Sequence, residues 1–491
     1  MKTKFIVLQI AATAFLLYYA SGFTQAVFIL ALSVIGLYLI NRQKLNENWP
    51  SSKGDWILVL IAAATFVFSR LIFFAKGNLI NFGYDGGFYL YAISHLKNFN
   101  LFSAWGAYQN PVFFLNKIFN FSPAGFLNFW YLLANAGTAA ALYLYLRRFG
   151  RSAGALGALL FAGSVAAVEA YSFYLWKNNI ALPFLILALY FIDKKKWLPA
   201  ALSSMVILLS HRTTAIIYGL FLAVYIVLSI PKTKKNWLIL SASAFLAAAA
   251  VFFTPLYSFF INFARNFFSQ PNPGLTQGIF LTGQSYWSLS AAAIILVVPG
   301  ILLSGKKAKD VSMVYLFALT FLWVVLKMPF YQRIFIFVDI AAVCFAAIAL
   351  AKLMSLGKQP KITASIVLLL FMAQGLFYAA TKDPQISTKE IQEISQVSSA
   401  QRKAFVLALS SRDAPWILAY SVNSGGAAPG LFDDRLTYEE WVDFYNGHNQ
   451  KLYLTRFPKP LLIYSRSINL AGEYRQCLNS LSENFSEYLC K

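Results

Sequence analysis

The sequence predicts an all-α polytopic membrane protein of about thirteen transmembrane helices, followed by a small external α/β domain. Three observations lead there. The 491 residues are 59% hydrophobic and 12% charged, with a mean hydropathy of +0.59; a soluble chain is roughly 45–50% apolar and about 25% charged. The apolar residues come in blocks of roughly 17–25, the length that crosses a hydrocarbon core. The excess of 41 Lys and Arg over 19 Asp and Glu is gathered in alternate connecting loops, as the positive-inside rule requires. That placement accounts for the net charge of +22 and excludes nucleic acid as the partner such a charge would suggest in a soluble protein.

In chain order, Met1-Lys2-Thr3-Lys4 and the apolar run to Ala20 have the shape of a signal peptide. A second apolar block, Phe23–Ile40, follows within a few residues, so residues 1–54 read as a helical hairpin. Residues 55–381 form the transmembrane core. Its spans are expected at 55–75, 122–147, 152–168, 178–193, 197–210, 213–230, 236–254, 286–304, 311–327, 331–353 and 361–381, after two at 5–20 and 23–41. Arg42 and Lys44, Arg147, Arg148 and Arg151, Lys194–Lys196, Lys232–Lys235, Lys306–Lys309 and Lys352–Lys361 follow every second span. Those loops are therefore cytoplasmic, with the N-terminus, and the loops between them face outward. The long loop 76–121 and the loop 255–285 are external, and so is the tail. Residues 382–491 have a balanced charge and an ordinary soluble composition, the mark of an extracytoplasmic α/β domain. Ala414–Tyr420 and Pro460–Tyr464 read as strands and Thr437–Tyr445 as a helix. With the tail outside, Cys477 and Cys490 can join in a disulfide, whereas Cys344 lies in an apolar span. The site of action is the plasma membrane.

Acidic residues are scarce on the outer side. Of the 19, only Asp85, Glu169 and Asp339 lie outside both the cytoplasmic loops and the tail, and charges near a bilayer interior are costly enough to be functional or paired. Asp85 stands in Asn81–Asn98 before two glycines and an aromatic run, Phe88, Tyr89 and Tyr91, which reads as a helix at the membrane surface. It reads equally as the cap of that helix and as a general base at the membrane–water boundary. Glu169, in the short aromatic loop after the fifth span, pairs with Lys177 or acts as a second carboxylate facing Asp85. Asp339, inside a span, reads as a buried hydrogen-bonded contact between helices.

Cations sit on the same side. His211 and Arg212 open the eighth span, Tyr331 and Arg333 the twelfth, and Lys177 lies between the fifth and sixth. Arg, Lys and His there can hold a donor phosphate by charge-assisted hydrogen bonds, or extend to water and headgroups. Tyr84, Asn178, Asn179 and Tyr331 add neutral groups suited to an acceptor or a sugar. A base beside a cationic clamp suits one reaction: an acceptor hydroxyl loses its proton to Asp85 and attacks an anomeric carbon whose leaving group is a phosphate. Nucleotide sugars are cytoplasmic, so an external enzyme takes a polyprenyl-phosphate sugar from the bilayer. A single displacement inverts the anomeric carbon.

Tyr84-Asp85-Gly86-Gly87, the second acid at Glu169, and Tyr331-Gln332-Arg333 at the outer end of a late span resemble the GT-C superfamily of integral membrane glycosyltransferases, near the dolichyl-phosphate-mannose mannosyltransferase and aminoarabinose transferase type. The resemblance covers roughly residues 55–355. It implies a polyprenyl-phosphate-linked sugar donor, a lipid, glycan or protein acceptor, and Asp85 and Glu169 as catalytic residues. It fixes no cofactor; a divalent cation, magnesium or manganese, is a candidate, with Glu169 able to supply oxygen ligands. Many relatives carry a second acid directly after the first, where this chain has Gly86. Asp85 and Glu169 are expected to face one outward cavity, with Arg212 or Arg333 on its wall. Competing readings are an O-antigen ligase or polysaccharide polymerase, a multi-span transporter or flippase of lipid-linked glycans, and a non-catalytic assembly subunit.

Overall fold

The computed structural model describes residues 53–94, 122–229, 290–304, 312–328, 331–356, 358–410, 413–421, 435–466 and 476–490, with Tyr286 and Tyr474 individually. The helices are α1 (Lys53–Lys76), α2 (Tyr84–Ser94), α3 (Pro123–Leu146), α4 (Arg151–Gly163), α5 (Val165–Ser172), α6 (Trp176–Asp193), α7 (Trp197–Ser210), α8 (Arg212–Ser229), α9 (Ala291–Ile295), α10 (Val297–Leu303), α11 (Ser312–Val325), α12 (Tyr331–Ser355) and α13 (Lys358–Ala380). A 3-10 turn, Leu79–Phe82, precedes α2. The expected spans 5–20, 23–41 and 236–254, residues 95–121 of the first long loop, and the loop 255–285 lie outside the described residues.

Every residue of α12 from Ile334 to Leu350 is buried. A helix that is apolar all round belongs in the middle of a bundle, and alanines at 341, 342, 346 and 347 let neighbours come close. Accordingly α4, α10, α11 and α13 all pack on α12. By contrast α1 and α13 keep apolar faces on the outside: Leu60, Phe68, Leu369 and Phe377 are each more than two-thirds exposed, as lipid-facing positions are. Among the described residues three helices are long and apolar enough to cross a membrane: Trp56–Lys76, Tyr331–Ser355 and Lys358–Ala380. The pair α4–α5 makes a fourth if it is one span. The expectation of about thirteen spans is thus not confirmed: among the described residues α7 and α11 have only 14 residues each, and the expected span 286–304 holds two short helices, α9 and α10.

The expected straight span 152–168 is broken. α4 and α5 meet at an angle of 51°, with Ser164 capping α5 through a bond accepted from the Ala167 amide at 3.1 Å. A break within an apolar bundle strands backbone groups that must find partners. The Ala162 carbonyl accepts from Arg70 Nη1 at 3.0 Å, and the Ser164 hydroxyl donates to Asp339 Oδ2. Asp339 also accepts from the Tyr286 hydroxyl at 3.5 Å, which agrees with its reading as a buried contact between helices.

At the far end of the bundle Asp193 joins three elements. It accepts from Arg148 at 2.7 Å, the Tyr145 hydroxyl at 2.9 Å and the Ser312 backbone amide at 2.9 Å. The ends of α3, α6 and α11, which the loop charges assign to one side, are therefore together.

The tail holds α14 (Thr388–Ala400), β1 (Phe405–Ala408), α15 (Ala414–Tyr420), α16 (Tyr438–Tyr445), α17 (Gln450–Leu454), β2 (Leu461–Tyr464), β3 (Leu478–Ser480) and β4 (Phe485–Tyr488). The sheet order is β1-β2-β4-β3, with β1 parallel to β2 and the other pairs antiparallel. Alternate residues feed two cores: Leu407, Leu461 and Ile463 on one face, Val406, Leu462 and Tyr464 on the other. β2 and α16 stand where the sequence places them, α16 with a reciprocal cap between Thr437 and Glu440. Ala414–Tyr420, expected as a strand, is a helix instead. Seven mostly apolar residues fit either structure, and Pro415 in the first turn, with Asp413 held by Arg466, decides for the helix. Cys477 and Cys490 form a disulfide.

Candidate active site

Asp85 lies in the first turn of α2, one residue inside the helix rather than at its cap. A carboxylate there faces the positive end of the helix dipole. The side chain is half-buried, and its electrostatic partners are Arg333 and Lys177. Desolvation outweighs both cations and pushes its pKa up from the usual carboxylate value to about 6. The structure thus brings three of the expected site residues together: Asp85 from α2, Lys177 from the first turn of α6 and Arg333 from the first turn of α12.

Tyr89 completes this group and was not marked by the sequence as part of it. It lies one turn after Asp85 on the same face, its ring packs 6.0 Å from that of Trp176, and the Lys177 ammonium sits 6.0 Å from the ring centre. It is hydrogen-bonded to the Lys177 backbone, and burial, with Asp85 next, pushes its pKa well above the phenol value. The i, i+4 spacing to Asp85 was the available signal.

Glu169 has other company. Its Oε2 accepts from the Tyr378 hydroxyl at 2.8 Å and pairs with Lys382 at 2.5 Å. The expected partner Lys177 is instead with Asp85, and the two carboxylates expected in one cavity have separate sets of partners. The reason lies in the chain path: α13 ends beside α5 and brings a lysine far away in sequence to a buried carboxylate that needs one.

The remaining expected residues divide as follows. Asn179 donates to the Tyr131 hydroxyl and the Leu175 carbonyl, both at 3.0 Å, and so braces α6 against α3. Asn178 is buried beside Lys177, with its side-chain oxygen lacking a hydrogen bond. His211 Nδ1 bonds the Thr214 hydroxyl at 2.8 Å and accepts from the Thr214 amide at 3.2 Å, which makes it the cap of α8. The Arg212 side chain lies outside the described residues. Tyr84 packs edge-on against Phe88 at 5.4 Å, and Tyr331 packs against Phe335 at 6.3 Å.

Gly86, where an acid is common among the proteins this chain resembles, has no room for one. A Cβ there would stand 2.1 Å from the Ile80 carbonyl oxygen. Among the described residues no three His, Cys, Asp or Glu side chains form a group that could hold a metal ion, and the groups around Asp85 are cationic. Arg70 also escaped the sequence reading, although a lone arginine inside an apolar span is a signal in itself. It is fully buried, with its guanidinium 4.4 Å above the Phe66 ring.

No known protein family matches the chain, and no curated protein does. Solved structures do. The oligosaccharyltransferase of Archaeoglobus fulgidus, tethered with an acceptor peptide containing the NVT sequon, aligns with a TM-score of 0.55 at 13% identity, over 85% of this chain and 70% of that one. The same enzyme in complex with Zn and sulfate aligns with a TM-score of 0.51 at 12% identity, over 83% and 68%. This chain shares their fold. The likeness is one of fold and does not single out the mannosyltransferase and aminoarabinose transferase branch.

Proposed function

We propose that this chain is a membrane glycosyltransferase that moves a sugar from a polyprenyl-phosphate donor to an acceptor hydroxyl at the outer face of the membrane. The observation that carries the reading is Asp85, desolvated to a pKa of about 6 beside Arg333 and Lys177. A carboxyl with that value is largely ionised at neutral pH yet more basic than an ordinary aspartate, which suits a general base. The Asp85 carboxylate takes the proton of the acceptor hydroxyl. The hydroxyl oxygen forms the new bond to the anomeric carbon as the bond from that carbon to the phosphate oxygen breaks. Lys177 and Arg333 meet the charge that gathers on the leaving phosphate, and one displacement inverts the configuration.

The oligosaccharyltransferase fold supports transfer to an acceptor. The Cys477–Cys490 disulfide supports an oxidising compartment for the tail, and hence for Asp85 beside it. The loop charges put Arg148, Asp193 and Ser312, which meet at the other end, in the cytosol. A transport pathway finds little support, because Asp339 is fully buried and hydrogen-bonded on both oxygens. Purified protein given a labelled polyprenyl-phosphate sugar and membrane-extract acceptors tests the reading. Transfer by the native chain and none by Asp85→Asn is expected; full transfer by Asp85→Asn removes the residue as the base.

A further inference from the structure

Resting on that reading of Asp85, we infer that the C-terminal domain is part of the active site: it holds the helix that carries the base, with Gly87, Glu169 and Lys382 as positioning residues. The domain reaches the segment around Asp85 at several points. Gly87, two residues after Asp85, lies against α15: a Cβ there would stand 2.7 Å from the Pro415 carbonyl carbon and oxygen. Backbone therefore touches backbone, and only glycine allows it. α15 is itself fixed to the domain, with Trp416 and Ile417 buried in the core under the sheet and Asp413 paired with Arg466.

The turn before α2 is held from the same side. The Asn81 carbonyl accepts from the backbone amides of Gln385 at 2.8 Å and Ile386 at 3.4 Å. Lys76, at the end of α1, donates to the carbonyls of Ala380 and Lys382 and pairs with Asp383 at 3.0 Å. Glu169 completes the junction. Its partners Tyr378 and Lys382 lie where α13 hands over to the domain, so this carboxylate ties α5 to the domain's root rather than touching the reacting atoms. α2 also meets α3 and, through Tyr89, the start of α6. The base helix is thus pressed between the membrane bundle and the domain, and a general base misplaced by about 1 Å can cost on the order of 100-fold in rate.

The test uses the full-length protein in lipid nanodiscs, with Gly87→Ala and Lys382→Met as separate variants. Two readings are taken: hydrogen exchange across residues 79–94, and kcat against donor KM. Each variant is expected to exchange faster at 79–94 with α12 unchanged, and to lose about 10–100-fold in kcat with little change in KM. Adding Glu169→Gln to Lys382→Met should restore part of the lost kcat, because the buried carboxylate then has no charge left unpaired. Wild-type protection at 79–94 in both variants overturns the inference, whatever the activity does. So does faster exchange with undiminished kcat while Asp85→Asn is inactive. Faster exchange together with an active Asp85→Asn leaves the domain's hold on α2 standing and removes the base reading instead.

Discussion

Asp85 shows how a single carboxyl is tuned by competing effects. Two cations favour its charged form and burial opposes it, and burial wins by enough to bring the value to about 6. The sign of the pH dependence follows. Below about 6 the carboxyl holds its proton and cannot accept one, so kcat/KM should fall about tenfold per pH unit there and level off above. A profile without an acid limb between about pH 5 and 7 contradicts Asp85 as the base. The stability effect of the same group has the opposite sense. Its folded value lies above its unfolded one, so the native state takes up a proton as pH falls through 6, and Asp85 disfavours folding at neutral pH relative to pH 5. Lys177→Met removes a cation facing Asp85. On the proposed reaction this should lower kcat by roughly 100–1,000-fold, and the acid limb should move to higher pH because a group that lowers the Asp85 value is gone. Gly86 belongs to the same scale. Its identity was visible in the sequence, but its reason was not, because the obstacle is the backbone carbonyl of Ile80.

Among the elements, the broken pair α4–α5 is the one most shaped by its neighbours. Gly163 and Ser164 mark the break, and α13 comes so close that a Cβ on Gly375 would stand 2.1 Å from the Gly163 carbonyl oxygen. Gly375→Leu should therefore push α13 off α4 and destabilise the bundle by about 1–3 kcal/mol, read as a lower thermal midpoint in detergent. An unchanged midpoint would mean that the two helices are not in contact. The helices themselves were legible from apolar block length: α1, α3, α6, α11, α12 and α13 each lie within a few residues of their expected limits. The break was not, because Gly-Ser inside an apolar run is compatible with a straight helix until Arg70 and Asp339 are seen to take up the groups it frees. α15 failed as an expectation for a related reason: seven apolar residues carry no decisive period.

The molecule as a whole joins a membrane bundle to a disulfide-closed domain through one face, where Lys76, Asn81, Gly87 and Glu169 all meet the tail. Reduction of Cys477–Cys490, which are 13 residues apart, should destabilise the domain by about 3 kcal/mol. Calorimetry with and without reductant measures it, and equal midpoints would show the bridge to be dispensable. Sidedness is tested with single cysteines placed at 385–389 and at 195, labelled by an impermeant maleimide in intact cells. Labelling at the first and not the second is expected, and the reverse pattern rules out a lipid-linked donor on the outer face.

Some of this was set by composition and order along the chain alone. Apolar blocks long enough to span a bilayer fix the helices, the alternation of basic loops fixes which ends lie together, and the scarcity of acids outside those loops and the tail isolates Asp85, Glu169 and Asp339. These are local or one-dimensional properties, because each residue answers to lipid or water through its own side chain. Which cation stands beside which acid was decided only in three dimensions. Lys177 went to Asp85 and Lys382 to Glu169, since a buried charge is satisfied by whatever the packing of distant helices brings within reach, and no spacing along the chain records that.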